Sequence, residues 1–289
     1  MNQVPSNSSL KPWNRSKAAT WGLYGKFIRL AFLKFLAYRL RYYTGVVTYT
    51  IYVAGFYFLY GALFASRASG GPEDLIGGLT LEEMITYVAI SWIGRSFYFN
   101  SIAQELSGQI QDGEIAMQLI KPYNLQTVMM FEVVGESTFR LLLFTLPIMV
   151  VVVPLFGIQG PPEAALYGWS FLSFSMALVI YTQFNFLLGC VAFYTKNIQG
   201  VLRAKMVAMD FLTGVLIPFT FFPEWFQTFV SWLPFQGISY IPVTIYLGKR
   251  PGSELWTGLA IQLAWSIALY LLARFVWYRA VKQVTVQGG

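Results

Sequence analysis

Apolar residues run along this chain in long blocks, and most polar residues are gathered between them. A membrane crossing needs roughly 20 mostly apolar residues. Blocks of that kind lie at about Thr44–Ala65, Leu81–Phe99, Val134–Phe156, Leu166–Tyr194, Met206–Phe222 and Leu255–Trp277. They predict an all-α polytopic membrane protein with six transmembrane helices. The second block is the weakest, because Arg95 lies inside it.

Three segments depart from this pattern. Over 25–41, Phe27, Ile28, Ala31, Phe32 and Phe35 share one helical face, and Lys26, Arg29, Lys34 and Arg41 the other. That predicts an N-terminal interfacial helix on the cytoplasmic leaflet, although Leu30, Leu33 and Leu40 sit among the charges. A plain extension of the first span is the alternative. Residues 223–248 are apolar and aromatic but broken by Pro223, Pro234, Gly237 and Pro242. Proline inside a helix costs about 3 kcal/mol. Two pieces remain, Glu224–Leu233 and Ile238–Leu247, each too short to cross. They predict an external re-entrant helical hairpin, or else a loop resting on headgroups with Trp225 and Trp232 in the aromatic belt.

The third departure is QDGEIAMQLIKPY at 111–123. Asp112-Gly113 is a turn signal. Glu114 falls in the first turn of the next helix, where a negative charge suits the dipole. Ile115, Leu119 and Ile120 make an apolar edge, Lys121 ends the helix and Pro122 stops it. Connectors in bundles usually run about 2–8 residues, and this loop of about 30 is expected to contact something.

Composition agrees with the membrane assignment: 289 residues, 56% hydrophobic, 11% charged, mean hydropathy +0.54. Net charge is +7, but its distribution matters more than its sum. Lys and Arg crowd residues 1–41, and no Asp or Glu occurs before Glu73. The positive-inside rule therefore puts the N-terminus in the cytoplasm, and six spans return the C-terminus there. Nucleic acid is not an expected partner; the bilayer is. The expected organisation is a polar tail over 1–24, one transmembrane domain over 25–280 and a short tail over 281–289. Lys249 and Arg250 are exceptions, falling outside in this scheme. No signal-peptide cleavage pattern is present near the start, so the first span is expected to be retained.

Chemistry is constrained by what is missing. The chain has no histidine and a single cysteine, Cys190. The commonest general base and metal ligand are absent, and no internal disulfide can form. No P-loop pattern occurs; Gly22-Leu-Tyr-Gly-Lys26 has the wrong spacing. No metal or cofactor site is expected. Ionisable groups within spans are the functional suspects. Glu136 and Arg140 are spaced to pair along a helix, or with Glu132 to cap its cytoplasmic end. Asp210 either pairs with Lys205 or lines a pathway. Arg95 is expected to snorkel to the cytoplasmic surface. Gln183 and Asn185 lie mid-span, where amides more often bond neighbouring helices than ligands.

Together, the interfacial helix, the six spans, the D-G-E…L-x-K-P stretch at 112–122 and the F-F-P-E-W…L-P-F…P…Y-L-G segment at 221–248 resemble the permease of a type-2 ABC export system. The resemblance covers roughly 25–280 and is closest to the branch that includes cyanobacterial viologen exporters. It implies an inner- or plasma-membrane permease subunit that is not itself an enzyme, paired with a second permease copy or paralogue and with separate ABC ATPase subunits. It implies that Asp112, Gly113, Glu114, Leu119, Lys121 and Pro122 form a cytoplasmic coupling helix. It implies that Pro223, Trp225, Trp232, Pro234, Gly237 and Pro242 belong to the external re-entrant hairpin. Candidate pathway residues are Glu136, Arg140, Gln183, Asn185 and Asp210. The implied substrates are amphipathic or cationic organic molecules moved outward. The alternative is an ATP-independent carrier or channel, although only Asp210 approaches the deep carboxylates a proton-coupled carrier needs.

Overall fold

The computed structural model describes residues 17–38, 40–67, 75–195 and 198–283. Most of the expected tail over 1–24, the loop charges Glu73 and Asp74, and Lys196 lie outside the described residues. Twelve α-helices occur among the described residues: α1 (Lys17–Ala37), α2 (Leu40–Arg67), α3 (Leu81–Tyr98), α4 (Ile102–Gln111), α5 (Ile115–Leu119), α6 (Leu125–Arg140), α7 (Leu146–Phe156), α8 (Ala165–Cys190), α9 (Gln199–Leu212), α10 (Glu224–Ser231), α11 (Tyr240–Tyr246) and α12 (Ser253–Ala280). The all-α expectation holds for these residues.

Among the described residues, four helical stretches are long and apolar enough to cross a membrane: Tyr42–Ser66, Leu125–Phe156, Ala165–Phe193 and Ser253–Ala280. The second and fifth expected spans differ. Helix α3 is 18 residues long and carries Glu82, Glu83 and Arg95, but most of it is buried against other helices. Of its charges, Arg95 is largely covered by protein and Glu83 partly so, while Glu82 is exposed. The fifth is not a continuous helix over 206–222. Helix α9 begins earlier, at Gln199, and stops at Leu212. Gly214 turns the chain with φ +76°, and Pro218 follows. A left-handed glycine ends helices and proline cannot continue one. Fourteen residues at 1.5 Å each span about 21 Å, short of the ~30 Å hydrocarbon core.

The third span starts before its expected Val134. Asn124 accepts a hydrogen bond from the Thr127 N–H at 3.0 Å and caps α6 at Leu125. The helix widens into a π turn over Leu141–Thr145 and resumes as α7. Pro147 has no N–H to return to the carbonyl four residues back, which accounts for the widening.

Helix α1 begins before the expected residue 25. Its apolar face lies on α6 rather than on lipid. Phe27 meets Tyr123, and Phe32 and Phe35 meet Phe139, with ring centroids 5.7–6.1 Å apart. Gly135 makes this close approach possible: a Cβ there would sit 2.2 Å from the Ile28 carbonyl oxygen. Leu30 and Leu33, two of the three leucines that spoiled the amphipathic pattern, are exposed. Helices α3 and α8 form the centre. By contrast, α2 presents Val47, Ile51, Phe58 and Leu59 outward, beside a shallow groove past Tyr52 and Gly55.

Candidate functional site

One group of polar side chains lies where α3, α8 and α9 meet. Arg95 on α3 forms an ion pair with Asp210 on α9. Its guanidinium also lies over the rings of Trp92 and Phe99, at 5.2 and 5.9 Å. Arg95 therefore does not snorkel to the surface, and Asp210 is not taken by Lys205. Lys205 instead donates to Asn185 Oδ1 at 2.6 Å and to the Tyr181 hydroxyl at 3.0 Å. Its Nζ lies 4.7 Å from the Tyr181 ring centroid. A desolvated ammonium is tolerated when acceptors and a ring face replace water.

Asn100 extends this network. It follows the break that ends α3, and its Nδ2 donates to Thr182 Oγ1 at 3.0 Å, while Asn185 Nδ2 donates to Asn100 Oδ1 at 3.4 Å. Asn185 thus joins three segments. Gln183 faces a different neighbour: Gln126 Nε2 on α6 donates to Gln183 Oε1 at 2.9 Å and to the Tyr270 carbonyl on α12 at 3.1 Å. Asn100, Gln126 and Tyr181 were not singled out in the sequence. Gln126 lies ahead of the hydropathy block, and the only signal for it was Asn124 as a helix cap.

Glu136 and Arg140 pair as their spacing predicts. Arg140 Nε and Nη2 both donate to Glu136 Oε1, at 2.9 and 2.8 Å, and both side chains are buried. The Arg140 guanidinium lies 5.2 Å from the Tyr42 ring centroid and 5.6 Å from that of Phe99. Phe99 thus touches both arginines, but the structure does not join the two ion pairs.

The 111–122 stretch stands apart from this core. Asp112 ends α4 and Gly113 turns with φ +77°. Glu114 precedes α5 without capping it through its side chain. Helix α5 has only five residues, shorter than expected, because a residue before proline is pushed out of the helical region. Ile115 is buried and Leu119 half-buried, but Ile120 is exposed. The apolar edge is narrower than the sequence pattern. Asp112, Gly113, Glu114, Met117, Ile120, Lys121 and Pro122 face outward. Lys121 Nζ and the Tyr123 hydroxyl both donate to Gln118 Oε1, at 3.0 and 2.7 Å. The expected loop of about 30 residues is mostly helix, filled by α4 and the early start of α6.

The two pieces of the proline-broken segment appear as α10 and α11. Trp225 and Trp232, on and just after α10, are exposed. Pro234 opens a short 3-10 turn ending at Gly237, and α11 follows, with Pro242 inside it and buried. Its surroundings supply the missing partners of broken backbone. Gln262 Nε2 on α12 donates to the Gly237 carbonyl at 2.7 Å, and Ser170 Oγ on α8 donates to the Pro242 carbonyl at 2.8 Å. Irregular backbone inside a membrane protein needs such partners.

Beyond α11, Lys249 Nζ reaches Glu83 at 2.6 Å and Arg250 Nε donates to Thr244 Oγ1 at 2.8 Å. Burial pulls the Arg250 guanidinium below its ordinary value, opposed by Tyr240 and Glu254. Both cations that broke the positive-inside pattern therefore have local partners.

The site joins helices through ion pairs, amides and ring faces. No curated protein and no solved structure matches the chain. The family model described as ABC-2 family transporter protein matches residues 50–288. With most of its length inside that match, the chain belongs to the ABC-2 family of membrane transporter proteins.

Proposed function

We propose that this protein is the membrane-spanning permease subunit of an ATP-driven exporter, powered by a separate ABC ATPase. The observation that carries the reading is the family match over a chain without a P-loop. ATP energy must then enter through a contact surface. The 111–122 stretch is the best candidate, since it exposes Glu114, Met117, Ile120 and Lys121 at a turn between two helices.

In this reading the chain crosses the cytoplasmic membrane six times, with α3 and α9 as the second and fifth crossings and both termini inside. Residues 213–222 complete the crossing that α9 begins. Helices α10 and α11 form the external re-entrant hairpin. A second permease copy or a paralogue supplies the other half of the pathway. Glu136, Arg140, Gln183, Asn185 and Asp210 are the candidate pathway residues, and Asp210 and Asn185 lie on the polar seam of α3, α8 and α9 on which this half opens. The substrate class is amphipathic or cationic organic molecules. Support comes from ring faces that already lie against cationic side chains, Trp92 and Phe99 beside Arg95 and Tyr181 beside Lys205.

Co-purification with an ATPase and hydrolysis stimulated by amphipathic cations test the whole reading. For the coupling stretch, Asp112→Lys with Glu114→Lys should lower stimulated hydrolysis several-fold while membrane insertion is unchanged. Normal stimulation in the double variant would remove 111–122 from the coupling role.

A further inference from the structure

A cavity of about 10 Å³ lies where α3, α8 and α9 meet, lined by Arg95, Tyr98, Tyr181, Met206, Met209 and Thr213. That is room for a single water-sized occupant. Its polar lining consists mostly of hydrogen-bond donors. Arg95 has N–H groups beyond the one that reaches Asp210. The Tyr181 oxygen accepts from Lys205, so its own proton has no acceptor among the described residues. Tyr98 is 2% exposed, and its hydroxyl makes no hydrogen bond among the described residues. Thr213 turns its proton away, to the Met209 carbonyl at 2.6 Å. Buried hydroxyls normally find a partner.

Charge points the same way. Arg95 and Lys205 lie close enough to repel each other, and Asp210 is the carboxylate beside them. Asp210 does not line the cavity. Lys205 is 7% exposed and rests on neutral partners, Asn185 Oδ1 and the Tyr181 hydroxyl. Glu136 and Arg140, the nearby pair, cancel each other. One positive charge is thus in surplus, and an unbalanced charge away from water is strongly unfavourable.

We propose that this cavity holds a small monovalent anion, chloride in the cell, as the counter-ion of Arg95 and Lys205. Arg95 and the Tyr98 and Tyr181 hydroxyls donate to it, and Lys205 supplies the balancing charge behind Tyr181. Chloride is slightly larger than water, and the flexible thioether chains of Met206 and Met209 can yield to it. The anion ties α3, α8 and α9 together and is not the transported molecule.

The full chain in mixed micelles is unfolded with urea at increasing chloride, with gluconate holding the ionic strength constant. A ligand bound only by the folded chain raises the unfolding midpoint as its concentration rises. Chloride should raise it, and gluconate, too large for the cavity, should not. Tyr98→Phe removes an unpartnered hydroxyl and keeps the ring, so in gluconate it should be at least as stable as the wild type. It should weaken chloride by about tenfold, the loss expected for one charge-assisted hydrogen bond. Lys205→Met removes the surplus charge and should abolish the response. Tyr98→Phe keeps the test decisive should Lys205→Met fail to fold. Equal midpoints in chloride and gluconate would mean that water fills the cavity, and would overturn the proposal. A chloride response unchanged by Tyr98→Phe would place the anion elsewhere and overturn it as well.

Discussion

Removing Asp210 should leave Arg95 without its carboxylate between α3 and α9. Breaking one side of a buried ion pair typically costs about 3–5 kcal/mol. Here the Arg95 and Asp210 side chains keep 13% and 22% exposure, which softens the loss. Arg95 also keeps the rings of Trp92 and Phe99, worth about 0.5–2 kcal/mol each. Asp210→Ala should therefore destabilise by about 2–4 kcal/mol. Arg95→Met should do so by a similar amount. Arg95→Met with Asp210→Leu removes both charges and should fall short of the sum of the singles by at least ~2 kcal/mol. Unfolding by denaturant titration in mixed micelles, followed by tryptophan fluorescence, measures each corner of the cycle. Lys205→Met is the control. Lys205 bonds to Asn185 and Tyr181, so it should couple to Asp210→Ala less than half as strongly as Arg95→Met does. Additivity of the Arg95 and Asp210 variants within about 0.5 kcal/mol would refute the pair, and stronger coupling through Lys205 would reassign it.

Gly135→Val should place side-chain atoms against the Ile28 carbonyl, destabilise by roughly 1–3 kcal/mol and loosen α1, seen as faster tryptic cleavage at Lys26, Arg29 and Lys34. Unchanged cleavage would mean that α1 does not depend on this seam. The Thr80 hydroxyl accepts from the Glu83 N–H while Glu83 accepts from the Thr80 N–H, at 3.2 and 3.0 Å. Thr80→Ala should therefore cost about 1 kcal/mol in the same unfolding assay, and a change below about 0.3 kcal/mol would remove the cap from the account. With Cys190→Ala as background, cysteines replacing the exposed Met117 and Trp225 should react with impermeant maleimide from opposite sides of intact vesicles, and labelling from one side would contradict the six-crossing topology.

The membrane-embedded character was legible because hydropathy sums over many residues, so no single one decides it. Helix ends were less legible because one or two residues decide them. Asn124 starts α6 well before the apolar block, and Gly214 with Pro218 ends the fifth apolar run that hydropathy alone reads through. The Glu136–Arg140 pair was readable since both lie on one helix at i, i+4. The Arg95–Asp210 pair was not, because its members are 115 positions apart and meet only when α3 and α9 pack. The proline-broken segment was legible as two short pieces, but not in the contrast between a largely exposed α10 and a buried α11. Its burial depends on Ser170 and Gln262, which lie on helices whose own patterns give no sign of that role.

The partners found for the buried cations also constrain how this core can move. Arg95, Arg140 and Lys205 each already rest on a carboxylate or an amide, and each has a ring face beside it. Separating α3 from α9 strands Arg95 unless a new acceptor arrives, since an unpaired charge at that depth costs several kcal/mol. Asn185 and Asn100 lie on the same seam and can accept hydrogen bonds, but they carry no charge. Opening along α3 and α9 therefore has to bring in water or a charged group as it proceeds. The Glu136–Arg140 pair lies within one helix and can travel with α6 intact. Of the two pairs, Arg95–Asp210 is the one whose partners must be exchanged, and substitutions there should change opening more than substitutions at Glu136.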